Sequence, residues 1–135
     1  MHKVWVADDD SAIRVVLEES LSSSGFDVKT FSSGDAVVNE LTNDSPDLLL
    51  TDVQMPGMLG YDLLKHINDN HENIPVIIMT AFTDMQAAVD SYGGGAFEYI
   101  PKPFDLDEAI QIINNGLQYS SIRSASVQMR AHVVQ

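Results

Sequence analysis

The chain has 135 residues, and its 20 acidic residues outnumber the 7 lysines and arginines, which gives a formal net charge of −13 at pH 7. This length suits one domain, and a 44% hydrophobic fraction is sufficient for a core, so we expect a folded protein. The lack of cysteine excludes disulfides, zinc–thiolate sites and a cysteine nucleophile. Because no apolar stretch is long enough to span a membrane and the acidic N-terminus is unlike a secretory signal, we expect a cytoplasmic location. The negative charge disfavours direct binding to nucleic acid or to anionic membranes.

The charge is distributed unevenly along the chain. Residues 1–119 contain all the acidic residues and five of the seven basic ones, whereas residues 120–135 contain Arg123 and Arg130 and no acidic residue. This change in composition predicts one domain over residues 1–119, followed by a tail or the start of a linker over residues 120–135.

Five apolar segments of strand length recur along the chain. They are KVWVA at 3–7, FDVKTF at 26–31, DLLLT at 47–51, PVIIMT at 75–80 and FEYI at 97–100. The second segment alternates apolar and polar residues, which predicts a half-exposed edge strand. The third and fourth are continuously apolar, which is typical of central strands covered on both faces.

Helical periodicity separates these strands. The first predicted helix follows an N-cap at Asp10 or Ser11 and ends at Gly25. Its predicted inner face consists of Ile13, Val16, Leu17, Ser20 and Leu21. The other four helices have apolar stripes that begin at Ala36, Tyr61, Met85 and Leu106. The alternation predicts an α/β fold of the (βα)₅ type, a doubly wound five-stranded parallel sheet with helices on both faces.

Polar groups follow the predicted strands at one edge of this sheet, where the functional groups of such folds gather. Asp8 and Asp9 follow the first strand, Asp52 follows the third, Thr80 ends the fourth and Lys102 follows the fifth. Three crowded carboxylates cannot all stay ionised at low cost without a cation, and Mg²⁺ prefers such oxygen ligands. Together with a lysine, this arrangement is suited to binding a phosphoryl group.

Each of these residues also has an ordinary structural interpretation. Asp52 could open the turn that follows it, and Thr80 could be a β-branched strand residue. Lys102 could be a solvated loop lysine, although the prolines on both sides restrict its backbone. Tyr99 could be a core aromatic residue. Considered one at a time, the residues leave both interpretations open.

Four motifs in order resolve this ambiguity. They are VADDD at 6–10, LLTDVQMPGMLG at 49–60, IIMTA at 77–81 and GAFEYIPKPF at 95–104. Over residues 3–118 the chain resembles the receiver domain of bacterial response regulators. Within that family its motifs are most similar to those of the nitrogen regulators of the NtrC type, which are enhancer-binding activators that work with sigma54.

The resemblance implies a flavodoxin-like, CheY-like strand order of 2-1-3-4-5 and a role for each motif. Asp52 would accept a phosphoryl group from a sensor histidine kinase, Lys102 and Thr80 would contact that group, and Tyr99 would change rotamer with it. The cofactor would be Mg²⁺, held by Asp8, Asp9, Asp52 and the backbone carbonyl of Gln54. A cis peptide is expected between Lys102 and Pro103.

The resemblance also implies a signalling module and not an enzyme, apart from its own phosphorylation and dephosphorylation. The output face would comprise the fourth helix, the fifth strand and the fifth helix, and it would serve a homodimer. Output domains would lie beyond residue 135 if the chain is a fragment, and they, not this domain, would bind DNA and control transcription.

Two other functions remain open at this point. Asp8 and Asp10 formally satisfy the D-x-D pattern of haloacid-dehalogenase-type phosphohydrolases, which would turn over small phosphomonoesters. Alternatively, the chain could be an interaction module that keeps the fold but is not phosphorylated. The first alternative leaves Asp52 without a role, and the second does not explain why the whole set of polar residues is present.

Overall fold

The fold is a parallel sheet with helices on both faces, seen in a computed structural model that describes residues 1–55, 57–58, 60–71 and 73–119. The strands are β1 (Lys3–Ala7), β2 (Asp27–Phe31), β3 (Leu48–Asp52), β4 (Val76–Ala81) and β5 (Glu98–Lys102). All pairings are parallel and the order is β2-β1-β3-β4-β5, which confirms the predicted fold class and strand order. The predicted tail at 120–135 lies outside the described residues.

Among the described residues, five α-helices connect or follow the strands. They are α1 (Ser11–Ser23), α2 (Gly34–Glu40), α3 (Gly60–Asn70), α4 (Met85–Tyr92) and α5 (residues 106–119). Asp10 caps α1 by accepting hydrogen bonds from the backbone N–H groups of Ala12 and Ile13, and Ser33 caps α2. None of the helices among the described residues combines the length and the apolarity that a membrane span requires.

Each face of the sheet has its own core, because successive residues of a strand point to opposite faces. On the face covered by α1 and α5, the buried strand residues include Val4, Val6, Leu48, Leu50 and Ile77. On the face covered by α2, α3 and α4, they include Trp5, Ala7, Leu49, Val76 and Ile78. This two-sided burial explains why β1, β3 and β4 are continuously apolar.

Several details differ from the sequence prediction. Tyr61 was expected to begin the apolar stripe of α3, but it is 47% exposed, and the buried stripe begins at Leu63. Val16 was expected on the inner face of α1, but it is 46% exposed. The sheet contacts the narrow stripe that contains Leu17 and Leu21, and Val16 lies one residue, about 100° around the helix, from that stripe. In addition, β5 continues to Lys102 and does not end at residue 100, because Lys102 pairs with Ala81 of β4.

Candidate functional site

The parallel register brings carboxylates from different parts of the chain together at one edge of the sheet. Ala7 of β1 pairs with Thr51 of β3, so the residues that follow them, Asp8 and Asp52, are neighbours. Asp9 comes next in the chain and is exposed. Carboxylate oxygens of Asp8, Asp9 and Asp52 all lie within 4.8 Å of one another. The three acids predicted to form one cluster therefore do so.

Asp8 is the buried member of this cluster, with no exposed surface. One carboxylate oxygen accepts a hydrogen bond from the backbone N–H of Asp10 at 2.9 Å. The other accepts one from the Lys102 ammonium at 2.7 Å. Both oxygens of this buried carboxylate are therefore satisfied, as burial of a charge requires.

Asp52 lies at the end of β3 with 15% of its side chain exposed. Its Oδ1 accepts a hydrogen bond from the backbone N–H of Val53 at 2.8 Å and lies 3.3 Å from the Lys102 ammonium. Burial, reinforced by the nearby Asp8 carboxylate, raises the pKa of Asp52, and Lys102 offsets only part of that effect. An additional cation near Asp52 would favour its ionised form.

Lys102 reaches from the end of β5 to both carboxylates. Burial lowers its pKa, but the hydrogen bond to Asp8 and the charges of Asp52 and Asp8 outweigh burial, so the net effect raises the pKa. The peptide bond between Lys102 and Pro103 is cis, as the resemblance implied. Lys102 therefore remains an ammonium held at the centre of the acidic cluster.

An open cleft of about 1040 Å³ begins at this cluster and continues towards α4. Its lining includes Asp9, Asp52, Gln54, Thr80 and Lys102, so the predicted site residues other than Asp8 and Tyr99 share this one cleft. The same cleft is also lined by Tyr61, Asp84, Ala87, Ala88 and Ser91. Small side chains on α4 thus leave the space beside the acidic cluster accessible to a ligand.

Tyr99 lies outside that cleft lining, as the second residue of β5. Its hydroxyl donates a hydrogen bond to the carbonyl of Gly93, which directly follows α4, at 3.0 Å. Burial, with a smaller contribution from Glu98, raises the pKa of the Tyr99 phenol. The structure therefore connects Tyr99 with the end of α4, and its predicted change of rotamer stays a prediction.

Sequence reasoning missed two residues of this site. Arg14 donates from Nη1 to the backbone carbonyl of Asp8 at 2.6 Å. Gly60 donates its N–H to the carbonyl of Val53, and a Cβ at Gly60 would lie 2.7 Å from that oxygen and 2.8 Å from the carbonyl oxygen of Asp52. Glycine is therefore required where the loop after Asp52 closes. Both contacts are made with backbone carbonyls, which no side-chain motif records.

The donor set of the cluster suits a hard divalent cation. The three carboxylates lie beside a single ammonium, that of Lys102, so the cluster carries an excess of two negative charges when all four groups are ionised. All the candidate donors are oxygens, which Mg²⁺ prefers over nitrogen and sulfur. The residues present therefore fit Mg²⁺.

Asp10, the third acid of the run, serves a different purpose. Its Oδ1 accepts hydrogen bonds from the backbone N–H groups of Ala12 at 2.9 Å and Ile13 at 3.4 Å. The D-x-D alternative required Asp10 as a second catalytic acid beside Asp8. As the N-cap of α1, Asp10 is already engaged, which counts against that alternative.

The chain is similar to known transcriptional regulators and receiver structures. It is 50% identical over 115 residues to the DNA-binding transcriptional regulator NtrC of Klebsiella pneumoniae, an alignment that covers 85% of this chain and 24% of that protein. It therefore spans about a quarter of the length of that relative. Among solved structures, a response regulator receiver domain protein from Clostridium thermocellum superposes with a TM-score of 0.82 at 31% identity, covering 90% of this chain and 98% of that one. NtrX of Brucella abortus superposes with a TM-score of 0.89 at 25% identity, covering 95% of this chain and 29% of that one.

A family model agrees with these similarities. The model of the response regulator receiver domain matches residues 4–114, which is most of the chain and includes the whole acidic cluster, Thr80 and Lys102. The strand order of the sheet agrees with the order that this family implied. We conclude that the chain belongs to the response regulator receiver domain family, a family of signalling domains.

Proposed function

We propose that Asp52 of this receiver domain accepts a phosphoryl group from a sensor histidine kinase. The observation that carries the proposal is the convergence of three carboxylates and the Lys102 ammonium at one edge of the sheet. Among the described residues, Asp52 is the cluster member that both lines the cleft and lies within ion-pair distance of Lys102. Family membership and the similarity to NtrC support the same role.

In the proposed transfer, a carboxylate oxygen of Asp52 attacks the phosphorus atom of a phosphohistidine. A P–O bond forms as the P–N bond breaks, the electron pair of the broken bond goes to the imidazole nitrogen, and an imidazole already protonated on its other nitrogen leaves neutral. Oδ1 of Asp52 is engaged by Val53 and Lys102. Among the described residues, this leaves Oδ2 as the attacking oxygen.

The acidic cluster would hold Mg²⁺ through Asp8, Asp9, Asp52 and the backbone carbonyl of Gln54. When bound, Mg²⁺ supplies positive charge that counters the negative oxygens of the phosphoryl group. The chain itself orients the Asp8 carboxylate, since the backbone N–H of Asp10 and the Lys102 ammonium both donate hydrogen bonds to it. These contacts fix the buried side of the metal site before any ligand binds.

Lys102 and Thr80 would contact the phosphoryl group after transfer. The Lys102 ammonium is 3.3 Å from Asp52, so a phosphoryl group on Asp52 would come within its reach. Thr80 lines the same cleft and can donate its hydroxyl proton to a phosphoryl oxygen. Slow hydrolysis of the acyl phosphate at this site would return the domain to its starting state, so it would have no turnover on a free substrate.

The output of this switch would be transcriptional. The hydrogen bond from Tyr99 to Gly93 connects β5 with the end of α4, so a change of the Tyr99 rotamer would alter the face formed by α4, β5 and α5. That face would form a homodimer. The NtrC relatives are DNA-binding regulators, and this chain aligns with about a quarter of their length; if the chain is a fragment of such a regulator, the output domains would lie beyond residue 135. The acidic receiver would not contact DNA itself.

Phosphorylation by a small phosphodonor tests the proposal. The chain is incubated with acetyl phosphate, with and without Mg²⁺, and weighed by mass spectrometry. We expect a single phosphoryl adduct that requires Mg²⁺ and is lost in Asp52→Asn. A matched control is Asp84→Asn, which removes a carboxylate that lines the same cleft but is not part of the acidic cluster, and it should keep the adduct.

The same preparation separates the alternatives. An equal adduct on Asp52→Asn would overturn the assignment of Asp52. Steady hydrolysis of a small phosphomonoester would favour a phosphohydrolase, and no adduct under any condition would favour an interaction module that is not phosphorylated.

A further inference from the structure

Arg14 holds the main chain of the buried acid in the site. It lies on the first turn of α1, and its Nη1 donates to the carbonyl oxygen of Asp8 at 2.6 Å. It is half-buried and is the only arginine in residues 1–119. Among the described residues, no carboxylate forms an ion pair with it, although the surrounding chain is strongly acidic. The contact of Arg14 is therefore with the backbone and not with the acids beside it.

This contact completes the set of hydrogen bonds around Asp8. The Asp8 N–H donates to the carbonyl of Phe31 at 3.1 Å, and its carboxylate is held by Asp10 and Lys102. Arg14 holds the remaining polar group, the carbonyl. Since Asp8 directly precedes Asp9, the orientation of the Asp8 carbonyl also fixes the peptide that leads to the exposed acid of the cluster.

We propose that Arg14 is a positioning residue for the cation site, because it fixes the peptide between Asp8 and Asp9. This inference rests on the proposed function, in which these two acids and Asp52 hold Mg²⁺. Without the guanidinium, the peptide can rotate, and the two carboxylates lose their mutual orientation. Partners of this kind, one step removed from the ligands, typically change metal affinity by about 10- to 100-fold.

The charge of Arg14 predicts the opposite effect, which makes the proposal testable. A guanidinium beside the cluster repels a divalent cation, so its removal should tighten Mg²⁺ binding if charge alone matters. If positioning dominates, removal should weaken binding. The sign of the change in Mg²⁺ affinity therefore distinguishes the two roles.

The experiment is a titration of the full chain with Mg²⁺, in which binding is monitored by the amide chemical shifts in NMR spectra. This readout does not require phosphorylation. Asp10 and Val53 are suitable probes, because their N–H groups donate to Asp8 and Asp52. We expect Mg²⁺ to bind Arg14→Met about 10-fold more weakly than the original chain. Arg14→Lys, which keeps a donor and the charge, should bind with intermediate affinity.

A distant cation provides the matched control. Lys65→Met removes one positive charge from an exposed ion pair with Asp69 on α3 and should leave Mg²⁺ affinity unchanged. Circular dichroism in the presence of a chelator checks that each variant is folded. If Arg14→Met does not fold, Arg14→Gln takes its place, and the same weakening of Mg²⁺ binding is expected of it. Affinity equal to or tighter than that of the original chain in the folded variant would overturn the role of Arg14. Absence of any Mg²⁺ response in the original chain would overturn the proposed function itself, and this inference with it.

Discussion

Lys102 and Asp8 form an ion pair of 2.7 Å between a lysine that is 20% exposed and a carboxylate with no exposed surface. The same ammonium lies 3.3 Å from Asp52, so one cation serves two acids. Asp8 therefore depends on a residue 94 positions away for its counterion. A phosphoryl group on Asp52 would compete with Asp8 for this ammonium. Phosphorylation would therefore change the contacts of Asp8, at the end of β1, as well as those of Lys102, at the end of β5.

Removing Lys102 should destabilise the domain. We expect Lys102→Met to lower the free energy of unfolding by about 3 kcal/mol without Mg²⁺, because the buried Asp8 carboxylate loses its counterion. Mg²⁺ should restore part of this loss by supplying another cation. Urea denaturation with and without Mg²⁺ measures both effects. Lys65→Met is the control, since it breaks only an exposed pair, and equal losses in the two variants would contradict the argument.

Neutralising Asp52 should have the opposite effect in the absence of metal. Because burial and Asp8 raise the pKa of Asp52, its ionisation opposes folding at neutral pH. Asp52→Asn should therefore raise the free energy of unfolding by up to about 1 kcal/mol, a value limited by solvent screening of this partly exposed group. The original chain should gain more stability from Mg²⁺ than the variant, so saturating Mg²⁺ should narrow or reverse the difference.

The pH dependence of this difference follows from the direction of the pKa change. The stability that Asp52 contributes is fully present below its unfolded pKa and is lost as the pH rises through its higher folded pKa. The excess stability of Asp52→Asn over the original chain should therefore increase between the unfolded and the folded pKa of Asp52 and stay constant from there towards neutral pH. Thermal unfolding in chelator at a series of pH values measures it, and a variant that is less stable at every pH would refute the prediction.

Tyr99→Phe should destabilise the domain at neutral pH but less at alkaline pH. The variant lacks the hydrogen bond to Gly93, which is worth about 1 kcal/mol. Since burial raises the pKa of Tyr99, its contribution is fully present below the ordinary tyrosine value of about 10 and is lost above it, as the pH rises through the folded pKa. Thermal unfolding should show the two proteins converging only in this alkaline range. Tyr119→Phe, a change at an exposed ring packed on Phe97, is the control and should leave the free energy of unfolding nearly unchanged.

The turn after α4 should loosen when Asn68 is replaced. Its side-chain amide donates to the carbonyl of Gly95 at 3.2 Å and attaches α3 to the short 3-10 turn Gly93–Gly95. We expect Asn68→Ala to accelerate amide hydrogen exchange in that turn and in the last turn of α4 by a few fold, while α1 is unaffected. Asn70→Ala removes a similar bond, to the carbonyl of His66 within α3, and should leave the turn unchanged. Equal exchange in all three proteins would show that the bond to Gly95 does not restrain it.

The sequence could predict the strands and the acidic cluster because both follow from simple periodicities. A parallel sheet aligns the carboxyl ends of its strands, so residues at the ends of β1 and β3 had to meet whatever the details of packing. The inner face of α1 was predicted less well, since Val16 is exposed. Apolarity at helical spacing does not reveal how wide a stripe the sheet covers.

Arg14 and the end of β5 were beyond sequence reasoning for a different reason. The contact of Arg14 with a backbone carbonyl depends on how the turn between β1 and α1 is folded. The extension of β5 to Lys102 depends on its pairing with Ala81 and runs through Pro101, which is tolerated because β5 is an edge strand of the sheet. Both features are set by backbone geometry, which residue type records only weakly.

Three consecutive aspartates follow β1, and each has a different environment. Asp8 is buried against Lys102, Asp9 is exposed at the cleft, and Asp10 caps α1. Because the three side chains are chemically identical, their different roles follow only from their positions in the chain. Deleting one of them would leave the composition of the cluster nearly the same but would move α1 by one residue, so that it could not both remain capped and keep two acids at the sheet edge. The length of this turn is thus as strict a requirement as the identity of its residues.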